Sequence, residues 1–267
     1  MPLKGFICPD NKTVLKEDCI NKCRIGNPCR SLRYLLAACD DRPWTGKPSC
    51  TQLINGTRME FLKITKDYFI KPDDRAFAIL GTRSHWLLDK IAKTRSEVIS
   101  EYKLEGDQVG TLDCLEPDRV NGGYVLIDNK TWGSYSVRKS LDGDMADTEL
   151  QLNFYRVKAE TDPALAALLR TVKIHKMLVE AIVRDGGTIA AKGNNVTSRI
   201  YSIPVKRLPD DRVLEYFNSK SFALHEALEK NISPSCCTSD ENWNWRRCRG
   251  MCDVAAFCPE GRKINKL

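Results

Sequence analysis

The sequence predicts a mixed α/β fold, a central sheet flanked by helices, with a cysteine-rich metal-binding module at each end of the chain. Three observations carry this expectation. Two sets of four cysteines stand near the two ends with the same spacing: Cys8-x10-Cys19-x3-Cys23-x5-Cys29, and Cys237-x10-Cys248-x3-Cys252-x5-Cys258. Between them lies a run of strand patterns broken by a glycine turn. Helical patterns precede that run, interrupt it and follow it.

The elements follow in order. After Cys29, SLRYLLAAC predicts a short helix, and DRPWTGKPS reads as a loop through its prolines and glycine. Ser49 is placed to cap one helix running through TQLINGTRMEFLKITKDY, and a loop containing Pro72 comes next. TRSHWLLDKIAKT, preceded by Gly81, reads as a helix whose buried side would be Ile79, Leu80, Trp86, Leu87 and Ile91. Three strands are expected at Val98–Leu104, Val109–Leu115 and Tyr124–Asp128, the last two joined by Asn121-Gly122-Gly123, a strong hairpin signal. ADTELQLNFYRVKAE has helical spacing, with Leu150, Phe154 and Val157 on one side. Pro163 opens a further short helix, and IHKMLVEAIV and RIYSIPVKRL read as strands. PDDRVLEYFNSKSFALHEALEK has early acids and a long amphipathic run, a helix stopping at Asn231. The chain divides into an N-terminal module and linker (1–47), a core (48–232) and a C-terminal module (233–267).

Composition narrows the function. A chain of 267 residues with ordinary apolar content can build a core without disulfides. It has no apolar run of membrane-spanning length, and its opening MPLKGFICPDNKT lacks the apolar stretch of a signal peptide. The expected location is therefore cytoplasmic, with no membrane partner. A net charge of +7 permits a nucleic-acid partner. Twelve cysteines in a reducing compartment point to metal binding rather than disulfides. Four thiolates suit Zn²⁺ or an iron–sulfur cluster, and spacing alone leaves both open. Cys236 competes with Cys237 for the first C-terminal place, and Cys39, Cys50 and Cys114 are left as core or loop thiols. Trp243 and Trp245, beside Arg246, Arg247 and Arg249, suit either stacking on bases or packing against the metal module.

The chemistry centres on YVLIDNKT at 124–131. Alternation along a strand puts Asp128 and Lys130 on one face. The glycine turn would bring Asp113, on the preceding strand, close to Asp128. Carboxylates gathered at one point repel unless a cation lies between them, and Mg²⁺ or Mn²⁺ would suit the oxygen ligands, to which the Asn129 carbonyl could add. The plain alternative is an ion pair.

An acid followed by a strand ending in D-x-K-T resembles the PD-(D/E)XK nuclease superfamily, and more narrowly its RecB-like exonucleases, which include the nuclease domains of RecB and AddB and nucleases associated with CRISPR adaptation. Five segments carry the resemblance in order: PSCTQL (48–53), GTRSH (81–85), GTLDCLEPD (110–118), LIDNKT (126–131) and QLNFY (151–155). The resemblance implies a restriction-endonuclease-like core. It also implies that His85, Asp113, Asp128 and the Asn129 carbonyl bind the metal, that Lys130 is the catalytic lysine, and that Gln151 and Tyr155 position that lysine or the DNA. Members of the family carry an iron–sulfur cluster on one upstream cysteine and three near the C-terminus. Cys248, Cys252 and Cys258 resemble that trio, with x3 where x2 is usual. No cysteine stands within LINGTR, near which the upstream ligand is expected, and a complete second set precedes the core.

The function expected is a Mg²⁺- or Mn²⁺-dependent DNA nuclease acting on single strands or free ends, with a helicase or another recombination or repair protein as a partner for unwinding. The rival readings are a non-catalytic nucleic-acid-binding subunit on the same fold and a metal-tied structural scaffold.

Overall fold

A computed structural model describes residues 3–40, 43–171 and 173–266. In chain order the elements are β1 (Leu3–Ile7), β2 (Thr13–Leu15), α1 (Lys16–Asn21), α2 (Leu32–Ala38), α3 (Cys50–Ile54), α4 (Thr57–Thr65), β3 (Tyr68–Ile70), α5 (Ala76–Ala92), β4 (Ile99–Leu104), β5 (Gly110–Pro117), β6 (Tyr124–Trp132), α6 (Ser134–Leu141), α7 (Ala146–Thr161), α8 (Pro163–Thr171), β7 (Ile174–Val183), α9 (Ile189–Gly193), β8 (Ile200–Pro204), α10 (Asp210–Lys230) and α11 (Pro259–Asn265). The protein is mixed α/β, with its sheets flanked by helices. It divides into two compact units: residues 1–48, 52–79 and 218–267 form the first, and 49–51 with 80–217 the second. Residues from both cysteine-bearing ends thus fall in the first unit.

The first unit holds a three-stranded sheet ordered β2-β1-β3, in which β1 runs antiparallel to β2 and parallel to β3. Its core joins Leu3 and Phe6 of β1, Leu35 and Ala38 of α2, Met59, Phe61 and Leu62 of α4, and Leu224 of α10. The sequence patterns did not reveal these short strands. The single helix expected after Ser49 is also two: α3 stops at Ile54, and α4 starts after Gly56. The reason is steric. A Cβ on residue 56 would lie 2.3 Å from Cys237 Sγ, so the chain carries a bare α-carbon there and re-enters a helix beyond it. Residues 41 and 42, the start of the expected DRPWTGKPS loop, lie outside the described residues.

The second unit is built on a five-stranded sheet ordered β4-β5-β6-β7-β8. Only β6 and β7 run parallel, with α6, α7 and α8 between them in the chain; the other neighbours are antiparallel. Gly122 and Gly123 adopt φ of +72° and +84°, the left-handed values that let the chain reverse between β5 and β6. Strand β6 does not end at Asp128. It continues to Trp132 because β7 pairs with it throughout, Asp128 opposite Val179 and Lys130 opposite Ala181. The charged residues therefore sit inside a central strand.

Two helices depart from simple amphipathic readings. In α7, every residue from Leu152 to Val157 is buried. Its buried Asn153 and Arg156 bond the segment after β8, while Arg156 Nε has no partner among the described residues. Asn153 donates to the carbonyls of Glu149 and Lys206 and accepts from Leu208 N–H, while Arg156 reaches the Leu208 carbonyl, Glu160 and Asp210. In α5 the expectation holds for Ile79, which packs against the core of the first unit, and fails for the rest: Trp86 is 61% exposed, and Leu80, Leu87 and Ile91 are exposed as well. The face that carries Gly81 and His85 is the covered one. A Cβ at Gly81 would be 3.6 Å from Thr131 Oγ1, so this face lies over β6 and the apolar side points away.

Candidate functional site

The site lies in the second unit, where strand pairing and two helices converge. The register of β5 on β6 sets Cys114 opposite Ile127, which carries Asp113 to the level of Asp128. Asn129 N–H donates to Asp113 Oδ2 at 2.7 Å, so the observed role of Asn129 is through its amide. Asp128 is buried, and Lys130 Nζ stands 2.9 Å from its Oδ1 and 2.8 Å from its Oδ2. The same ammonium donates to Gln151 Oε1 at 3.2 Å, and Gln151 Nε2 donates to Tyr155 Oη at 3.1 Å. Gln151 and Tyr155 are one turn apart on α7, and the buried anchors of that helix fix both toward the lysine. The structure thus joins Asp128, Lys130, Gln151 and Tyr155 in one network and sets the bonded pair Asp113 and Asn129 beside it.

On the other side of Asp113, His85 of α5 places Nδ1 3.6 Å from Asp113 Oδ2 and 3.1 Å from Glu101 Oε1. Donor atoms of His85, Glu101 and Asp113 all lie within 4.8 Å of one another, the one such group of three ligand-type side chains among the described residues. Glu101 was not expected. It belongs to β4, where Ser100 pairs with Cys114 and Tyr102 with Leu112, so Glu101 faces Asp113 across the ladder. Its φ is +47° in mid-strand, a conformation that bulky residues avoid and that concentrates at functional sites. Two acids directly opposite each other repel. No spacing rule links Glu101 to the D-x-K strand; only the β4–β5 pairing does.

The electrostatics follow from that crowding. Burial, and then the Asp128 charge, push Asp113 up to about 7, against the opposing pull of His85, Lys130 and the Asn129 amide. His85 is held above its ordinary value chiefly by its hydrogen bond to Glu101. Burial works against the Lys130 charge, yet Asp128 and Asp113 keep its pKa above the ordinary lysine value. Burial drives Tyr155 and the fully buried Cys50 thiol upward. Gly110 lets the Tyr155 ring approach: a Cβ there would be 2.7 Å from Tyr155 Cε1. Chemically, the arrangement offers a cation a nitrogen and two carboxylates, with an ammonium fixed beside it.

The cysteines lie in the first unit. A small cavity there is walled by Cys236, Cys237, Cys248, Cys252 and Cys258 together with Arg58. Cys237 lies near Cys248, Cys252 and Cys258, and the Cys258 thiol donates to Glu260 Oε2 at 3.3 Å. Arg58 bonds Glu260 at 2.9 Å, and its Nη1 is 3.8 Å from Cys258 Sγ. Burial pushes Cys252 up to about 11. Trp243, Asn244 and Trp245, between Cys237 and Cys248, all take positive φ. Trp245 lines the cavity, and the guanidinium of Arg247 lies 4.0 Å from the Trp243 ring centroid. At the other end burial raises the Cys19 pKa, and Cys8, Cys29, Cys23 and Cys39 add to the shift. No three cysteine sulfurs of either set lie within 4.8 Å of one another.

No family model matches the chain, and no curated protein matches it. A solved structure described as the crystal structure of SSO0001 aligns over 86% of this chain and 93% of that one, with 17% identity and a TM-score of 0.49.

Proposed function

We propose that the protein is a metal-dependent DNA nuclease of the PD-(D/E)XK, RecB-like type on a restriction-endonuclease-like core. The observation that carries this reading is the convergence of His85, Glu101 and Asp113 within 4.8 Å, beside a buried Asp128 that holds Lys130. These residues fit a hard divalent cation. Two opposed carboxylates, one with its pKa near 7, are the arrangement that a cation relieves. Mg²⁺ or Mn²⁺ bound there would polarise the phosphodiester and lower the pKa of water. His85, Glu101 and Asp113 would hold it. Asp128 fixes the Lys130 ammonium, which remains charged and donates toward the phosphate or the attacking water. Gln151 orients that ammonium, and Tyr155 orients Gln151. The net charge of +7 suits a polyanionic substrate, with single strands or DNA ends as its form and a helicase or repair protein as its partner.

The C-terminal cysteines fit the iron–sulfur cluster that the resemblance implies. Cys237, Cys248, Cys252 and Cys258 line one cavity, and Cys237 takes the position that the missing side chain of residue 56 leaves open, an arrangement that suits an iron–sulfur cluster or Zn²⁺.

The test is cleavage of end-labelled single- and double-stranded DNA with Mg²⁺ or Mn²⁺, using Lys130→Ala as the paired control and DNA binding measured alongside. Metal-dependent cutting by the parent, lost in the variant with binding kept, supports the reading. Folded protein that binds DNA and never cuts it is a binding subunit instead.

A further inference from the structure

We propose that the outward face of α5 is a platform for single-stranded DNA, with Trp86 stacking on a base and Arg83 and Lys90 binding the phosphates beside it. The proposal rests on the nuclease reading for its substrate and not for cleavage.

The first support is an open apolar stripe. From Leu80 onward α5 belongs to the second unit, as the metal-site residues do. No residue of the helix is buried. Trp86 is more exposed than any other tryptophan among the described residues, and Leu87 and Ile91 stand open beside it. By three- and four-residue spacing, Arg83, Trp86, Leu87, Lys90 and Ile91 share one stripe. It spans about 12 Å of the helix axis, the length of roughly three stacked nucleotides. Scattered exposed apolar side chains are ordinary, whereas a row of them on one helix marks a binding surface.

The second support is charge, which selects the occupant. After Leu80 the helix carries one acid, Asp89, and Lys93 takes it at 2.6 Å, with the carboxylate mostly covered. Arg83 and Lys90 are exposed, and neither has an ion-pair partner among the described residues. The open stripe therefore presents positive charge alone. A second copy seated here about a two-fold axis would set one cationic stripe against another, whereas a polyanion is attracted. Lys90 Nζ stands 5.3 Å from the centroid of the Trp86 ring, so the ammonium and the stacking surface are already side by side. Aromatic rings interleaved with cations hold single strands through base faces and phosphates together. A duplex keeps its base faces stacked inside, so the exposed ring favours unpaired bases.

The third support is position. His85, the residue before Trp86, turns to the covered face and reaches Glu101 and Asp113. A strand lying on the stripe is thus held one residue away from a group proposed to bind the metal.

The test is binding of a short labelled oligothymidine to the full-length protein, followed by fluorescence anisotropy with no added Mg²⁺ or Mn²⁺, so that binding is read apart from cutting. Trp86→Ala should weaken binding about 10-fold, and Trp86→Phe should restore most of it. Arg83→Ala/Lys90→Ala should lower the slope of log affinity against log salt by about 1.4. These side chains are exposed, so the melting temperatures should stay at the parent value. A strand of abasic sugars should bind the parent and Trp86→Ala alike. Unchanged affinity in Trp86→Ala overturns the platform, as does a duplex bound as tightly as the single strand and weakened equally. A dimer dissolved by Trp86→Ala in sedimentation velocity, with DNA affinity unchanged, gives the face to a second copy instead. Protein that binds as expected and never cuts once Mn²⁺ is added keeps the platform and ends the nuclease reading. Cutting that survives with Trp86→Ala binding and cleaving as the parent does ends the platform alone.

Discussion

Replacing Asp113 with Asn should make the metal-free protein more stable at alkaline pH while destroying its metal site. Burial and the Asp128 charge raise the Asp113 pKa to about 7, against an ordinary value near 3.9. The folded state thus holds the proton more tightly than the unfolded chain does. The resulting stability is fully present below about pH 4 and is lost as pH rises toward and through about 7. Roughly three pH units at ~1.4 kcal/mol each come to about 4 kcal/mol lost by pH 8, an order-of-magnitude figure. Asn is nearly isosteric and never ionises, so Asp113→Asn escapes that loss and still accepts the Asn129 amide bond. His85, raised chiefly by Glu101, titrates in the same direction, so the informative quantity is the difference between the two proteins. The assay is thermal unfolding in chelator at pH 5 and pH 8. At pH 5, about one pH unit above the ordinary value, only ~1.5 kcal/mol is lost, so the variant should melt higher by just a few degrees. At pH 8 the variant should melt higher by on the order of 10 °C, at about 2–4 °C per kcal/mol for a protein of this size. Millimolar Mn²⁺ should raise the parent melt alone. A variant less stable than the parent at pH 8 without metal would refute the reasoning, because Asp113 would then be a satisfied carboxylate and not a strained one.

Other consequences are separable. Gln151→Ala leaves Lys130 held by Asp128 alone and should lower the cleavage rate about 10- to 100-fold with DNA affinity unchanged, read by single-turnover kinetics and a binding titration. Gly110→Ala puts a methyl group 2.7 Å from the Tyr155 ring and should cost about 1–3 kcal/mol in unfolding and slow cleavage by displacing Tyr155 from Gln151. Asn153→Ala leaves the Lys206 carbonyl and the Leu208 amide without their partner and should destabilise by roughly 3 kcal/mol in urea unfolding. Glu101→Gln should weaken Mn²⁺ binding at least tenfold in a calorimetric titration while the protein stays folded.

Local rules made much of the site legible. The glycine turn implied the β5–β6 hairpin and hence the approach of Asp113 to Asp128. Strand alternation implied the Asp128–Lys130 contact, and the four-residue spacing on a helix implied the Gln151–Tyr155 contact. What stayed hidden depends on non-local pairing. Glu101 joins the site only because β4 pairs beside β5, and nothing in ISEYKL marks it. Periodicity identified an apolar side on α5 but not whether anything covers it, and the structure turns that side outward. The break at Gly56 answers to Cys237, far along the chain. Cys50, left by its sequence as a core or loop thiol, is a core one, fully buried.

The most direct test of the account is to titrate Mn²⁺ into metal-free protein and follow binding by electron paramagnetic resonance and DNA cleavage in parallel. The account predicts that one bound Mn²⁺ and the onset of cleavage share a half-saturation point in the parent, and that Asp113→Asn loses both. Cleavage by Asp113→Asn at the parental rate, or Mn²⁺ bound equally well by that variant, would contradict it.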